Sequence, residues 1–251
     1  MHTGAVQSRQ GVLDALSRSY LFEDLSRDDL APLAATATSR SLVRGEFLWR
    51  IGAVAHEIYV VASGELKDSV VDADGFELIP FVHGPGMTVG EPGYFAVDHD
   101  RVVEVLALMP SVVIRLDRLH LTPFMERHPS TKDRALERLA SNTRWQATMI
   151  ASMPRRPLAD RLALRLLELI DSNPGSNAGA PVTPKISQAT LAGMVGVSRE
   201  NVNRALATLA ADGYITYADG RYTIVNEDAL RERIARDWPI AGRRDRRMTQ
   251  L

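Results

Sequence analysis

Five residues near the C-terminal end have the types and spacing to read nucleic acid: Ser198, Arg199, Glu200, Asn203 and Arg204. An arginine donates two hydrogen bonds to a guanine edge, and a carboxylate accepts from the amino group of cytosine. Two arginines and a glutamate in the first turns of one helix therefore suit base reading in a major groove. The alternative is a solvated surface helix whose charges do nothing but dissolve it.

The elements around these residues favour the first reading. In residues 186–215, ISQATLAGMVGVSRENVNRALATLAADGYI, Ser187 can cap a first helix that buries Leu191 and Met194. Gly196 then breaks the chain into a tight turn, and Ser198 caps a second helix. Val202, Ala205, Leu206 and Leu209 fall at i, i+3, i+4 and i+7, one narrow apolar stripe. That register turns Arg199, Glu200, Asn203 and Arg204 outward. The runs 214–217 and 222–225 flank Ala218-Asp219-Gly220-Arg221, the pattern of a β-hairpin, so the pair of helices is expected to carry a wing.

The string S-R-E-x-V-x-R, formed here by Ser198, Arg199, Glu200, Val202 and Arg204, resembles the recognition-helix signature of the Crp/Fnr family of bacterial transcription regulators. The resemblance implies that Arg199 and Arg204 face guanines and Glu200 a cytosine. It also implies double-stranded DNA with TGTGA-like half-sites as the partner, arranged as an inverted repeat for a homodimer.

Upstream the texture changes twice. From 41 to 116, short β-rich runs are separated by Gly-containing turns, as in a sandwich or barrel-like domain. Asp74-Gly75 reads as a hairpin turn within it. Ahead of these runs, residues 13–33 read as short helices, with Asp24 or Ser26 as a cap. Helical texture returns after Asp117, and 129–153 is one long stretch. There Leu136, Leu139, Thr143, Gln146, Ile150 and Met153 alternate three and four apart, a heptad seam. A helix packed on its own domain could show such a stripe, but the length and the polar pair in mid-seam point to a dimer interface. Met153-Pro154-Arg155-Arg156-Pro157 breaks the helix as a hinge.

The order matches the Crp/Fnr plan from about residue 21 to 225. The expected fold class is α+β: an N-terminal β-roll of the cyclic-nucleotide-binding kind (1–128), a dimerisation helix and hinge (129–155), a winged helix-turn-helix (156–225) and a basic tail (226–251). The resemblance implies an effector in the roll, cAMP or a related cyclic nucleotide, with no other cofactor required. In the stretch 86–102, GMTVGEPGYFAVDHDRV, it puts Glu91 on a ribose hydroxyl and Gly90 at a close backbone approach. Arg101, ten residues on, is placed on the cyclic phosphate, waiting for that anion and serving the ligand, not the core. Two departures stand out: Pro92 follows the glutamate, and Val102 follows the arginine where a hydroxyl is usual. On the long helix, Thr143 and Gln146 fall near where the family's cAMP binders approach adenine. Arg101 could instead be a surface residue paired with Asp98 or Asp100.

Composition narrows the field. Hydrophobic residues make up 45% and charged residues 24% of 251, as in a soluble globular protein. No run approaches the roughly 20 apolar residues of a membrane span, and the opening MHTGAVQSRQ lacks a signal-peptide pattern; a cytoplasmic protein is expected. The absence of cysteine removes disulfides, thiolate catalysis and cysteine-ligated clusters. Residues 1–154 carry 15 Lys+Arg against 20 Asp+Glu, a net of −5; residues 155–251 carry 15 against 11, a net of +4. The basic half is the one expected on DNA, and the cluster 243–247, RRDRR, is either a further contact or a frayed end. The loop 171–184 lies where family activators meet RNA polymerase. The hydrolase, metalloprotease, P-loop and dinucleotide motifs are all missing, so no enzyme is expected. Two rivals remain, a haem sensor using His56, His83, His99, His120 or His128, and a nucleotide-binding module acting on a protein.

Overall fold

The computed structural model describes residues 8–73, 75–152, 156–171 and 181–235. Several sequence expectations fall wholly or partly outside them: the first seven residues, Asp74 of the hairpin turn, Met153 to Arg155 of the seam and hinge, most of the loop 171–184, and the cluster 243–247. The chain divides into two compact units, residues 1–70 with 80–143, and 71–79 with 144–251.

The first unit opens with α1 (Arg9–Ser17), a 3₁₀ turn (Tyr20–Phe22) and α2 (Arg27–Thr36). Ser26 begins α2 through a capping box with Asp29, and Asp28 and Asp29 place negative charge at its positive end. The strands of this unit are β1 (Thr38–Leu42), β2 (Phe47–Trp49), β3 (Glu57–Ser63), β4 (Leu66–Val71), β6 (Val82–His83), β7 (Thr88–Val89), β8 (Glu104–Ala107) and β9 (Ser111–Asp117), while the short β5 (Glu77–Leu78) falls in the second unit. A short helix α3 (Glu91–Phe95) lies between β7 and β8, α4 (Arg118–Arg127) follows β9, and α5 (Pro129–Ser152) begins in this unit and ends in the second.

The strands form two antiparallel sheets, ordered β1–β9–β3–β7 and β2–β8–β4, with β6 also on β4. Strand β3, EIYVVAS, explains why the expected β-roll contains an unbroken apolar run. Ile58, Val60 and Ala62 pack outward under α1, α2 and α4, while Tyr59 and Val61 join Leu66, Val105 and Val113 inside. A central strand covered on both faces needs no polar alternation.

The second unit contains α6 (Leu158–Asp171), α7 (Gln188–Val195), α8 (Arg199–Ala211), the hairpin β10 (Ile215–Ala218) and β11 (Arg221–Ile224), and α9 (Glu227–Ala235). The hairpin turns through Asp219 and Gly220, both at positive φ, the two-residue primed turn that matches strand twist. Helix α9 lies in the segment assigned by sequence to a tail, yet Leu230 and Ile234 are buried. Arg233 reaches Asp160 on α6 at 2.7 Å and Asp212 at the end of α8 at 2.7 Å. The winged domain therefore extends past Val225.

Candidate nucleic-acid interface and effector site

The helix pair is built by local chemistry. Ser187 accepts from the Thr190 amide, so α7 starts where its first amides find a partner. It ends at Gly196, whose left-handed φ of 70° lets the chain turn without a Cβ clash. The last carbonyls of α7 would otherwise lack partners. Arg161 Nη1 donates to Val195 O at 3.1 Å and Arg165 Nε to Met194 O at 3.1 Å, so two arginines of α6 brace the turn from behind. Arg165 is itself buried, stacked 3.6 Å from the Trp145 ring and paired with Glu168 at 2.8 Å. Burial lowers its pKa, with Glu168 opposing. No periodicity announces these two arginines, because their partners lie 34 and 29 residues away.

Ser198 accepts from the Asn201 amide and starts α8. Val202, Ala205, Leu206 and Leu209 are buried, as the stripe requires. Ser198, Arg199, Glu200, Asn203 and Arg204 are all exposed. Arg204 is steadied by Asn201, and Gln188 donates to Asn203 at 3.3 Å. No ion pair among the described residues engages Arg199, Glu200 or Arg204. On the wing side Lys185 and Arg221 are exposed as well. The result is a rigid, capped helix end bearing two guanidinium groups and a carboxylate toward solvent.

The second set of residues is built the opposite way. Glu91 and Arg101 are 5% and 4% exposed. Thr88 donates its hydroxyl to Glu91 Oε1. The Arg101 guanidinium stacks 4.0 Å from the Trp49 ring centroid. Its Nη1 donates to Gly90 O at 2.9 Å, and its Nη2 to Glu57 O at 2.7 Å and Glu57 Oε1 at 3.3 Å. Only Nε has no hydrogen-bond partner among the described residues. Gly90 is at φ +110°, and a Cβ there would stand 2.5 Å from Arg101 Nη1, so the approach admits only glycine. Arg118 holds the adjoining α3 through the Tyr94 carbonyl and stacks 4.0 Å from the Tyr94 ring.

These contacts revise what the sequence suggests for Arg101. It is not a surface residue paired with Asp98 or Asp100; its carboxylate partner is Glu57, 44 positions away. Nor is it a vacant fork, since Glu57 and two carbonyls already hold it in a buried setting. Burial lowers its pKa while Glu57 raises it, and Glu91 is near enough to add its field. Glu57 is shared with Arg115 at 3.2 Å. Of the remaining sequence candidates, Val102 is 67% exposed. Thr143 and Gln146 are exposed on α5, and the Thr143 hydroxyl donates to Leu139 O at 2.9 Å within its own helix. Sequence reasoning missed Glu57, Thr88 and Trp49. Two of the histidines have partners: His83 bonds Asp68, and His99 bonds Arg118.

Family models match both parts, a cyclic nucleotide-binding domain over residues 39–128 and a Crp-like helix-turn-helix domain over residues 160–233. The chain belongs to the Crp/Fnr family of transcription regulators. This Crp/Fnr regulator is 27% identical over 229 residues to a protein of Mycobacterium tuberculosis called CRP-like cAMP-activated global transcriptional regulator, covering 89% of this chain and 98% of that one. It is 26% identical to the cyclic AMP receptor protein of Thermus thermophilus, covering 86% and 97%. Among solved structures it shares its fold with FixK2 of Bradyrhizobium japonicum (TM-score 0.68, 20% identity, 78% and 96% covered). The c-di-GMP-responsive regulator CLP of Xanthomonas campestris has the same fold (TM-score 0.63, 20% identity, 80% and 100% covered). The protein is thus a DNA-binding transcription regulator that carries a cyclic-nucleotide-binding domain. No described helix is long and apolar enough to cross a membrane.

Proposed function

We propose that this regulator acts in the cytoplasm as a homodimer, placing α8 of each protomer in successive major grooves of an inverted repeat with TGTGA-like half-sites. A cyclic nucleotide in the β-roll controls it. The observation that carries this reading is the α8 N-terminus, where Arg199, Glu200 and Arg204 are exposed on a braced turn without ion-pair partners among the described residues. Two guanidinium groups that no carboxylate among the described residues neutralises suit a polyanion partner. Exposed Lys185 and Arg221 beside the wing suit the flanking phosphates.

The dimer rests on α5. This helix of 24 residues leaves Leu136 52% and Ile150 68% exposed in one chain, with Thr143 and Gln146 on the same seam. An apolar seam of this length has its natural cover in a second copy of itself. Two-fold symmetry then presents the recognition helices about 34 Å apart, one turn of B-DNA.

In the roll, Glu91 would accept from a ribose hydroxyl and Arg101 would hold the cyclic phosphate. That requires the phosphate to exchange with the Glu57 carboxylate. The names of the relatives point to cAMP in two of them and to c-di-GMP in a third.

Gel shifts on a palindromic and a scrambled duplex test the reading, with light scattering for the dimer. The palindrome should be preferred, and Leu139→Glu with Ile150→Glu should yield monomers that bind a single half-site weakly. An unchanged dimer in that variant, or equal binding to both duplexes, would defeat it.

A further inference from the structure

The inner face of the second sheet contains two residues that an apolar core does not explain. On β4, Leu66 and Asp68 are buried with Lys67 between them, so Leu66 and Asp68 share the inward face. Directly paired residues also share a face, and the register sets Leu66 opposite both Ala107 and His83, and Asp68 opposite Val105. Leu66, Val105 and Ala107 belong to the interior cluster. Asp68 and His83 therefore point into the roll, their side chains joined at 2.7 Å between Asp68 Oδ1 and His83 Nε2.

The same register connects this pair to Arg101. Trp49 pairs with Val105 on the other side of β8, so Trp49, Val105 and Asp68 form one row across three strands. The Arg101 guanidinium lies over the Trp49 ring, 4.0 Å from its centroid. With strands about 4.8 Å apart, the two ends of the row are separated by roughly 10 Å. That is comparable to the distance from the phosphate of a nucleotide to the far edge of its base.

We propose that Asp68 and His83 are the base-reading end of the effector site and select a guanine ring over an adenine ring. The inference rests on the nucleotide reading of Glu91 and Arg101. A carboxylate only accepts, so the proton between the two side chains sits on His83 Nε2, and the tautomer carrying that proton alone offers Nδ1 as an acceptor. That atom is buried without a hydrogen-bond partner among the described residues, on a side chain 7% exposed. The second Asp68 oxygen is an acceptor too. This end of the site is thus lined by acceptors and calls for a ligand edge with adjacent N–H donors. Guanine has two, at N1 and at its exocyclic amine. Adenine sets the N1 lone pair against the carboxylate and leaves only one donor group. A site built to accept from N–H discriminates strongly against a ring lacking it, because its own buried groups are then left unpaired.

Calorimetric titration of the full chain with cGMP, cyclic di-GMP and cAMP tests this, using wild type, Asp68→Asn and His83→Leu, with circular dichroism to establish that the variants fold. The wild type should bind one of the guanine ligands at least about tenfold tighter than cAMP, and the two guanine arms tell a mononucleotide from a dinucleotide. Asp68→Asn should erase most of that preference, weakening the guanine ligands and leaving cAMP bound at least as tightly, because the amide can donate to adenine N1 where the carboxylate repelled it. If cAMP binds the wild type as tightly as either guanine ligand, or if Asp68→Asn leaves the ratio unmoved, the pair does not read the base, although the nucleotide reading stands. If no cyclic nucleotide binds at millimolar concentration, the nucleotide reading falls and this inference with it. Should a variant fail to fold, the wild-type ratio alone decides.

Discussion

The two halves of this regulator treat the same residue types in opposite ways. On α8, Arg199, Glu200 and Arg204 are exposed and enter no ion pair among the described residues. In the β-roll, Arg101 and Glu91 are buried and already engaged, Arg101 by Glu57, the Gly90 carbonyl and the Trp49 ring, and Glu91 by Thr88. Exposed charges cost little to leave unpaired, so a surface can wait for a macromolecule with its groups ready. A buried guanidinium without a counter-charge would be expensive. The interior site must therefore be satisfied before its ligand arrives, and binding there is an exchange of partners.

The sharpest test of this contrast is stability. Arg101→Ala should cost about 2–4 kcal/mol in urea unfolding, because it leaves two buried carbonyls without their donor and the Glu57 carboxylate with Arg115 alone. Arg199→Ala should change stability by less than about 0.5 kcal/mol. Equal losses in the two variants would erase the distinction drawn between the sites.

Function should invert the ranking. Arg199→Ala or Arg204→Ala should weaken binding to the palindrome by about 1–3 kcal/mol per half-site and relax specificity at one base pair. Glu200→Ala should chiefly lose discrimination, as a carboxylate near phosphates contributes little affinity. Quantitative gel shifts on single-base variants of the site check this; a uniform loss across all sequences would reassign the arginines to phosphate contacts.

The smallest effect concerns Glu57. Glu57→Gln removes the competing charge at Arg101 while keeping its shape, so cyclic-nucleotide affinity should rise about three- to tenfold by calorimetry. Weaker binding would show that Glu57 positions Arg101 for the ligand and does not leave it.

Much of the DNA-reading half was legible in order along the chain. Caps at Ser187 and Ser198, the turn at Gly196, the four-residue stripe on α8 and the Asp219-Gly220 hairpin are all signals within a few residues of what they specify. The bracing by Arg161 and Arg165 was not, nor was the burial of α9, because each depends on a helix brought in from elsewhere. The roll was legible as a class from its β-rich runs and Gly turns, and Glu91 and Arg101 stood out through a resemblance of ten-residue spacing.

By itself the sequence determined the α+β order of elements, the helix boundaries that capping chemistry sets, and the outward face of α8. These follow from hydrogen bonds and periodicities spanning less than a few turns. Tertiary structure alone decided that Arg101 is held by Glu57 and Trp49 and that Asp68 meets His83 inside the roll. Strand register sets most of these encounters, bringing residues 15 to 52 positions apart into one layer. Register is a property of the whole sheet, fixed by which faces are buried together, and no local pattern records it.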